Sequence, residues 1–161
     1  MTYAPTATGE HLRIAIAADH NGVQMKSHLV ALLLSLGHSA SDLGTHGPEL
    51  VDYPILCVRI GKELATGTAD RGIMIGGSGM GEVIACNKVK GVRAGLCADM
   101  FQVGISRGNN DSNVLVLGAK VLNNETAAEL TSAWLTTSFN GGVHQKRLEQ
   151  IAQLESGEEP I

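Results

Sequence analysis

The sequence predicts a single α/β domain: a Rossmann-like three-layer αβα arrangement around a five-stranded parallel sheet. Three observations carry that expectation. Short apolar runs with a β-branched bias alternate along the chain with stretches whose apolar residues recur at helical spacing. The clearest runs are continuously apolar, as strands covered on both faces are. Aromatic residues make up only 3% of the chain while glycine supplies 20 residues, which suits thin, closely layered elements better than a β-sandwich. A chain of 161 residues buries about two-thirds of its unfolded surface in one core.

Taken in order, LRIAIAA (residues 12–18) reads as a buried strand that stops at Asp19-His20. Helical spacing then runs over residues 23–36, and Gly37 supplies the stop. A short strand at 40–43 leads into the polar turn THGPELVDYP, and residues 55–66 form a second helix closed by Gly67. RGIMIGG is another buried strand, and GEVIACNK is a helix that starts straight after its glycines. VRAGLCA is a strand followed by a helix over 99–107, and NVLVLG is the last strand. NNETAAELTSAWLTTS is a helix with Asn123 or Asn124 as N-cap, and residues 144–155 form a charged helix. Residues 1–10 and 157–161 carry no pattern and are expected to be mobile. Right-handed crossovers between such strands place ligands beyond the carboxyl ends of the sheet. That rule selects Asp19-His20, residues 45–53, the 76–82 loop, Ala98-Asp99 and the stretch near Gly118.

Composition excludes several classes. The net charge of -4 comes without a basic stripe, so no nucleic-acid partner is expected. The longest apolar stretch, residues 29–36, is too short to span a bilayer, and MTYAPTATGE lacks the regions of a signal peptide. Cys57, Cys86 and Cys97 show neither CxxC spacing nor an even count, which predicts free thiols in a reducing cytoplasm and no zinc or other metal site.

The chemistry concentrates in GGSGMGE, where Gly76, Gly77, Gly79 and Gly81 precede Glu82. A dinucleotide fingerprint needs a different glycine spacing, and a phosphate-binding P-loop needs lysine where Glu82 stands. What remains is a run of backbone N–H groups able to hold one developing oxyanion, with a carboxylate base beside it. That is the equipment for removing a proton from carbon next to a carbonyl, and Ser78 offers a further hydroxyl donor. A helix-terminal position lowers the pKa of Glu82 and burial against Met80 and Ile84 raises it. Against this stands a tight strand-to-helix turn with Glu82 favoured in the first helical turn. Asp19 and His20 can orient hydroxyls or relay protons, the plain alternative being an N-cap aspartate with a solvent histidine. His144, Lys146 and Arg147 offer positive charge for a phosphate, or are an ordinary charged helix face. His28 and His38 read as structural or exposed, while His11 and His46 have no reading.

AADHNG, DYP, GGSGMGEVIACNK, RGNNDSNVLVLG and GGVHQKR, in that order, resemble type B ribose-5-phosphate isomerase and the related galactose-6-phosphate isomerase subunits over residues 12–152. The resemblance implies a Rossmann-like sheet, a homodimer with shared active sites (or a tetramer), and cofactor-free aldose–ketose isomerisation of a phosphorylated sugar through a cis-enediolate. It implies that Asp19 and His20 handle the sugar hydroxyls and that Tyr53 lies beside the sugar. Gly77, Ser78, Gly79, Met80 and Gly81 would form the anion hole, Asn110 a sugar ligand and Arg147 a phosphate ligand, with His144 counted among the substrate-binding residues. Some family members carry a cysteine base at the position of Gly76 and others a glutamate at that of Glu82, so this chain resembles the glutamate type.

Three positions depart from the pattern. Asn109 stands where pentose enzymes carry the histidine that opens the furanose ring, Val143 replaces an arginine, and Lys120 replaces a third phosphate-binding arginine. Asparagine cannot exchange a proton near neutral pH. A tetrose 4-phosphate has no ring to open, because its O4 is esterified and closure through O3 would give a strained four-membered ring. The departures therefore point to an acyclic substrate such as erythrulose 4-phosphate as the alternative to ribose 5-phosphate. A non-catalytic sugar-phosphate-binding subunit and a nucleotide- or flavin-binding module are the rivals from other classes. Retention of Asp19, Ser78 and Glu82 argues against the first, and Glu82 against the second.

Overall fold

The computed structural model describes residues 10–161. In chain order the elements are β1 (Arg13–Ala18), α1 (Val23–Ser35), β2 (Ser39–Asp42), α2 (Tyr53–Ala65), β3 (Arg71–Gly76), α3 (Met80–Cys86), β4 (Ala94–Leu96), α4 (Met100–Gly108), β5 (Val114–Gly118), α5 (Asn124–Thr136) and α6 (Val143–Ser156). The five strands form one sheet in the order β2-β1-β3-β5-β4, and every pairing is parallel. The winding reverses between β1 and β3, so the crevice expected to take a ligand opens beyond Ala18 and Gly76.

The continuous apolar runs are explained by burial on both faces. Ile14, Ile16, Ile73, Ile75, Leu115 and Leu117 face α1, α4 and α5, where Leu29, Leu33, Val103, Leu130 and Trp134 cover them. The intervening Ala17, Met74, Val114 and Val116 face α2 and α3, under Leu56, Cys57, Ile60 and Cys86. Small residues let these layers close: a β-carbon at Gly72 would run into Ile60 of α2. All three cysteines are buried and free.

The boundaries differ from the sequence reading where local chemistry wins. α2 begins at Tyr53 rather than at residue 55, because Pro54 fits the first helical turn and Asp52 is an extended N-cap. β4 is confined to Ala94–Leu96, shorter than VRAGLCA. Ahead of it, Val92 N–H closes a turn on the Val89 carbonyl and Arg93 N–H is held by the Asn113 side chain. Asn123 is the N-cap of α5, its side chain accepting from Thr126 N–H. α6 is helical as expected, yet none of its residues is buried, and Val143, Ile151 and Leu154 are exposed. It stands off the sheet and, with β4 and α4, bounds a cavity of about 990 Å³ lined by Leu96, Phe101, Ile105, Ile151 and Leu154. The expected mobility of residues 1–10 falls, for all but Glu10, outside the described residues. At the other end Gly157 closes α6 in a left-handed conformation and Gln150 Nε2 donates to the Ile161 carbonyl. No helix among the described residues is long and apolar enough to cross a membrane.

Candidate active site

β1 delivers Asp19 and His20 to the crevice. Asp19 is buried, and its N–H donates to the Ile75 carbonyl, tying it to β3. Its carboxylate accepts from Asn21 N–H (2.8 Å) and from Asn21 Nδ2 (3.0 Å). Asp19 is therefore not the N-cap of α1: that position belongs to Gly22, with no side-chain cap. His20 Nε2 lies 3.3 Å from Asn21 Nδ2, while its Nδ1 is buried without a hydrogen-bond partner. A buried imidazole nitrogen without a partner is uncommon and marks this corner of the crevice as incompletely satisfied.

β3 delivers the glycine loop. Gly79 has φ 82°, a left-handed conformation that costs glycine little, and from it α3 sets off at Met80. Met80 N–H donates to Ser78 Oγ (3.2 Å), so the hydroxyl proton of Ser78 remains free to donate onward. The N–H groups of Gly77, Ser78 and Gly81 donate to no acceptor among the described residues. A side chain at Gly118 would strike the Ser78 carbonyl, which fixes the loop against the end of β5.

Glu82 folds back over this loop. Its carboxyl occupies the space that a β-carbon at Gly76 would need, and only 4% of the residue is exposed. Glycine at 76 and glutamate at 82 are thus two sides of one arrangement: the carboxyl takes the place that a side chain at 76 would fill. Burial raises the Glu82 pKa, repulsion from Asp19 adds to it, and the loop amides of Glu82 and Gly79 pull back without reversing it. Between the helix-terminal and desolvation effects, desolvation prevails. Tyr53, from the start of α2, lays its phenol against Gly81, and Asn21 and Lys120 flank Gly77.

One chain therefore assembles Asp19, His20, Tyr53, the Gly77–Gly81 segment, Glu82 and Lys120. It does not bring Asn109, Asn110, His144 or Arg147 to them. α4 and α5 run back along the sheet, so Asn109 caps α4 at the amino end, where Asn110 and Asp111 accept from Arg93 ahead of β4. Asn140 joins that end by donating to Asn109 Oδ1 (3.3 Å), and α6 starts just beyond it with His144 and Arg147. Ala98-Asp99 is occupied with capping α4, Asp99 accepting from Gln102 N–H (2.8 Å). Of the unassigned histidines, His46 lies by Asp42, and His11 sits with His38 at the amino end of β1. Asn21 was missed in the sequence, although an aspartate bonding two residues onward is a recognisable turn signature. Among the described residues no cluster of three His, Cys, Asp or Glu side chains converges as a metal site.

With this geometry in hand, comparison with known proteins is decisive. Residues 14–151 match the model of the family described as Ribose/Galactose Isomerase. The chain belongs to that family. It is 39% identical over 143 residues to ribose-5-phosphate isomerase B of Escherichia coli, covering 89% of this chain and 96% of that one. A D-erythrulose-4-phosphate isomerase of Pectobacterium atrosepticum is 34% identical over 149 residues, with 91% and 97% covered. The structure of Clostridium thermocellum ribose-5-phosphate isomerase B superposes with a TM-score of 0.89 at 38% identity, covering 91% of this chain and 99% of that one. Family membership makes the chain an isomerase, and its relatives act on sugar phosphates.

Proposed function

We propose that the chain interconverts an aldose phosphate and a ketose phosphate through a cis-enediolate, with Glu82 as the base. The observation that supports this most directly is the Glu82 carboxyl, buried over Gly76 beside loop amides that have no other acceptor. Glu82 takes the proton from the carbon next to the carbonyl, and the electron pair forms the C=C bond while negative charge moves to oxygen. The amides of Gly77, Ser78 and Gly81 stabilise that oxygen. Glu82 returns the proton to the neighbouring carbon, and Asp19 and His20 carry the proton between the two oxygens. A raised pKa keeps the Glu82 carboxylate basic enough to take the carbon-bound proton, since a catalytic base works best near the operating pH.

The complete site belongs to a homodimer. A second copy supplies Asn109, Asn110, His144 and Arg147, because in one chain they lie at the amino end of the sheet and the Glu82 loop lies at the carboxyl end. The short open-edged β4 and the exposed apolar residues of α6 are where that copy seats. For the substrate, Asn109 favours an acyclic tetrose 4-phosphate over ribose 5-phosphate; relatives named for each substrate occur, at 34% and 39% identity respectively, so the preference rests on Asn109.

Turnover of D-erythrulose 4-phosphate and ribose 5-phosphate, followed side by side by NMR in D₂O, tests the reading. Solvent deuterium entering the product at carbon, with loss of turnover by about 10²-fold or more in Glu82→Gln, is expected. Retention of turnover in that variant would sink the base assignment. Fast turnover of ribose 5-phosphate by the unaltered chain, or no gain on it by Asn109→His, would remove the tetrose preference.

A further inference from the structure

The amino end of the sheet holds a second concentration of cations. Arg71 opens β3, and its Nη1 donates to the carbonyls of Trp134 (3.3 Å) and Leu135 (2.9 Å) at the end of α5. Arg107, near the end of α4, donates through Nη1 to Asp111 (2.8 Å) and to the Ser112 carbonyl (2.6 Å). The two guanidinium carbons lie 5.3 Å and 5.7 Å from the ring centroid of Trp134. Together with His11, His38, Ser132 and Thr137 they line a cavity of about 540 Å³.

Charge and hydrogen bonding in this cavity are incomplete. Asp111 is shared by Arg107 (2.8 Å) and Arg93 (3.1 Å), and Arg71 has no ion-pair partner among the described residues. Two guanidinium groups, those of Arg71 and Arg107, thus line the cavity with Glu10, while Asp111 is taken up by Arg107 and Arg93. Arg107 is only 6% exposed, yet its Nε is buried with no hydrogen-bond partner. Buried donors of this kind are normally satisfied, and a charged one is costly to leave unpaired. Burial, with repulsion from Arg107, brings the Arg71 pKa down to about 10 against the opposing pull of Asp111, Glu10 and Asp70.

We propose that this cavity is a second, non-catalytic anion site that takes a small phosphate monoester. Its oxygens would accept from the unpartnered Arg107 Nε and from Arg71, since planar guanidinium groups recognise phosphate through paired N–H bonds. None of Asn109, Asn110, His144 and Arg147 lines the cavity, which separates it from the substrate phosphate ligands. An occupant would bear on catalysis from both sides: Arg71 begins the strand that ends at Gly76, and Arg107 lies two residues before Asn109.

Trp134 is the only tryptophan in the chain, so its indole N–H gives one signal, from a group wedged against both arginines. Inorganic phosphate titrated into the ¹⁵N-labelled full chain at constant ionic strength should shift that signal saturably. Arg71→Gln should raise the half-saturating concentration at least about tenfold, and Arg147→Gln should leave it unchanged. The proposal is overturned if chloride gives the same shift, if Arg71→Gln titrates like the unaltered chain, or if Arg147→Gln abolishes the response. Should Arg71→Gln fail to fold, the contrast between phosphate and chloride in the unaltered and Arg147→Gln chains decides by itself.

Discussion

If each active site draws on two chains, two inactive variants should rescue one another. Glu82 and Arg147 are the pair to use. Ser78 and its loop pack at Gly118, the last residue of β5, whereas Asn110 precedes the first residue of that strand. Five residues of strand rise about 16 Å, so the two groups cannot meet on one small substrate within a chain. Glu82→Gln alone is expected to lose about 10²- to 10⁴-fold in turnover. Arg147→Gln, which removes a charge-assisted bond to phosphate, should lose about 10- to 100-fold in kcat/KM. Co-refolding equal amounts gives about half heterodimers, each with one site carrying both lesions and one carrying neither. Recovery to about a quarter of the unaltered activity is therefore expected in the unfractionated mixture, and to about half in heterodimers isolated through two different tags, measured below KM. Activity no higher than the mean of the two parents would refute the shared site.

Three further outcomes follow from the same geometry. Gly76→Ala puts a methyl where the Glu82 carboxyl sits, and displacing a base by about 1 Å costs about 10²-fold in kcat; steady-state kinetics within threefold of the unaltered chain would contradict it. The folded-state pKa of Glu82 lies above its ordinary 4.5, so the folded chain holds the extra proton and stability falls as pH rises through that window. Glu82→Gln should accordingly melt higher than the unaltered chain at neutral pH, with the difference vanishing below pH 4.5 in a thermal scan. Asp70 behaves in the opposite sense, because hydrogen bonds from Arg13 hold its carboxyl at about 2 instead of 3.8. Asp70→Asn should lower stability modestly at neutral pH, and the loss should fade as pH falls from 3.8 towards 2; a pH-independent difference would show that the ion pair is not its source.

Much of the fold was legible because local rules and tertiary packing agree. The runs LRIAIAA, RGIMIGG and NVLVLG are continuous precisely where both sheet faces are covered, and Gly37, Gly67 and Asn123 act at helix ends as their chemistry dictates. Less was legible where a distant contact decides. β4 starts late because the chain before it is folded into the turn that Val92 N–H closes on the Val89 carbonyl, and the helical pattern of α6 does not reveal that it packs on no core.

For the candidate site, sequence by itself determined the residue types: a glycine run with no cation at its end, a carboxylate directly after it, and an acid–imidazole pair closing the first strand. These follow from covalent order, which places neighbours together whatever the fold. Only the tertiary structure decided that the Glu82 carboxyl lies over Gly76 and that desolvation outweighs the helix-terminal effect on its pKa. It also decided that Asn109, Asn110, His144 and Arg147 stand at the far end of the sheet from that carboxyl. Burial and distance depend on which elements pack across the sheet, and spacing along a chain does not encode them.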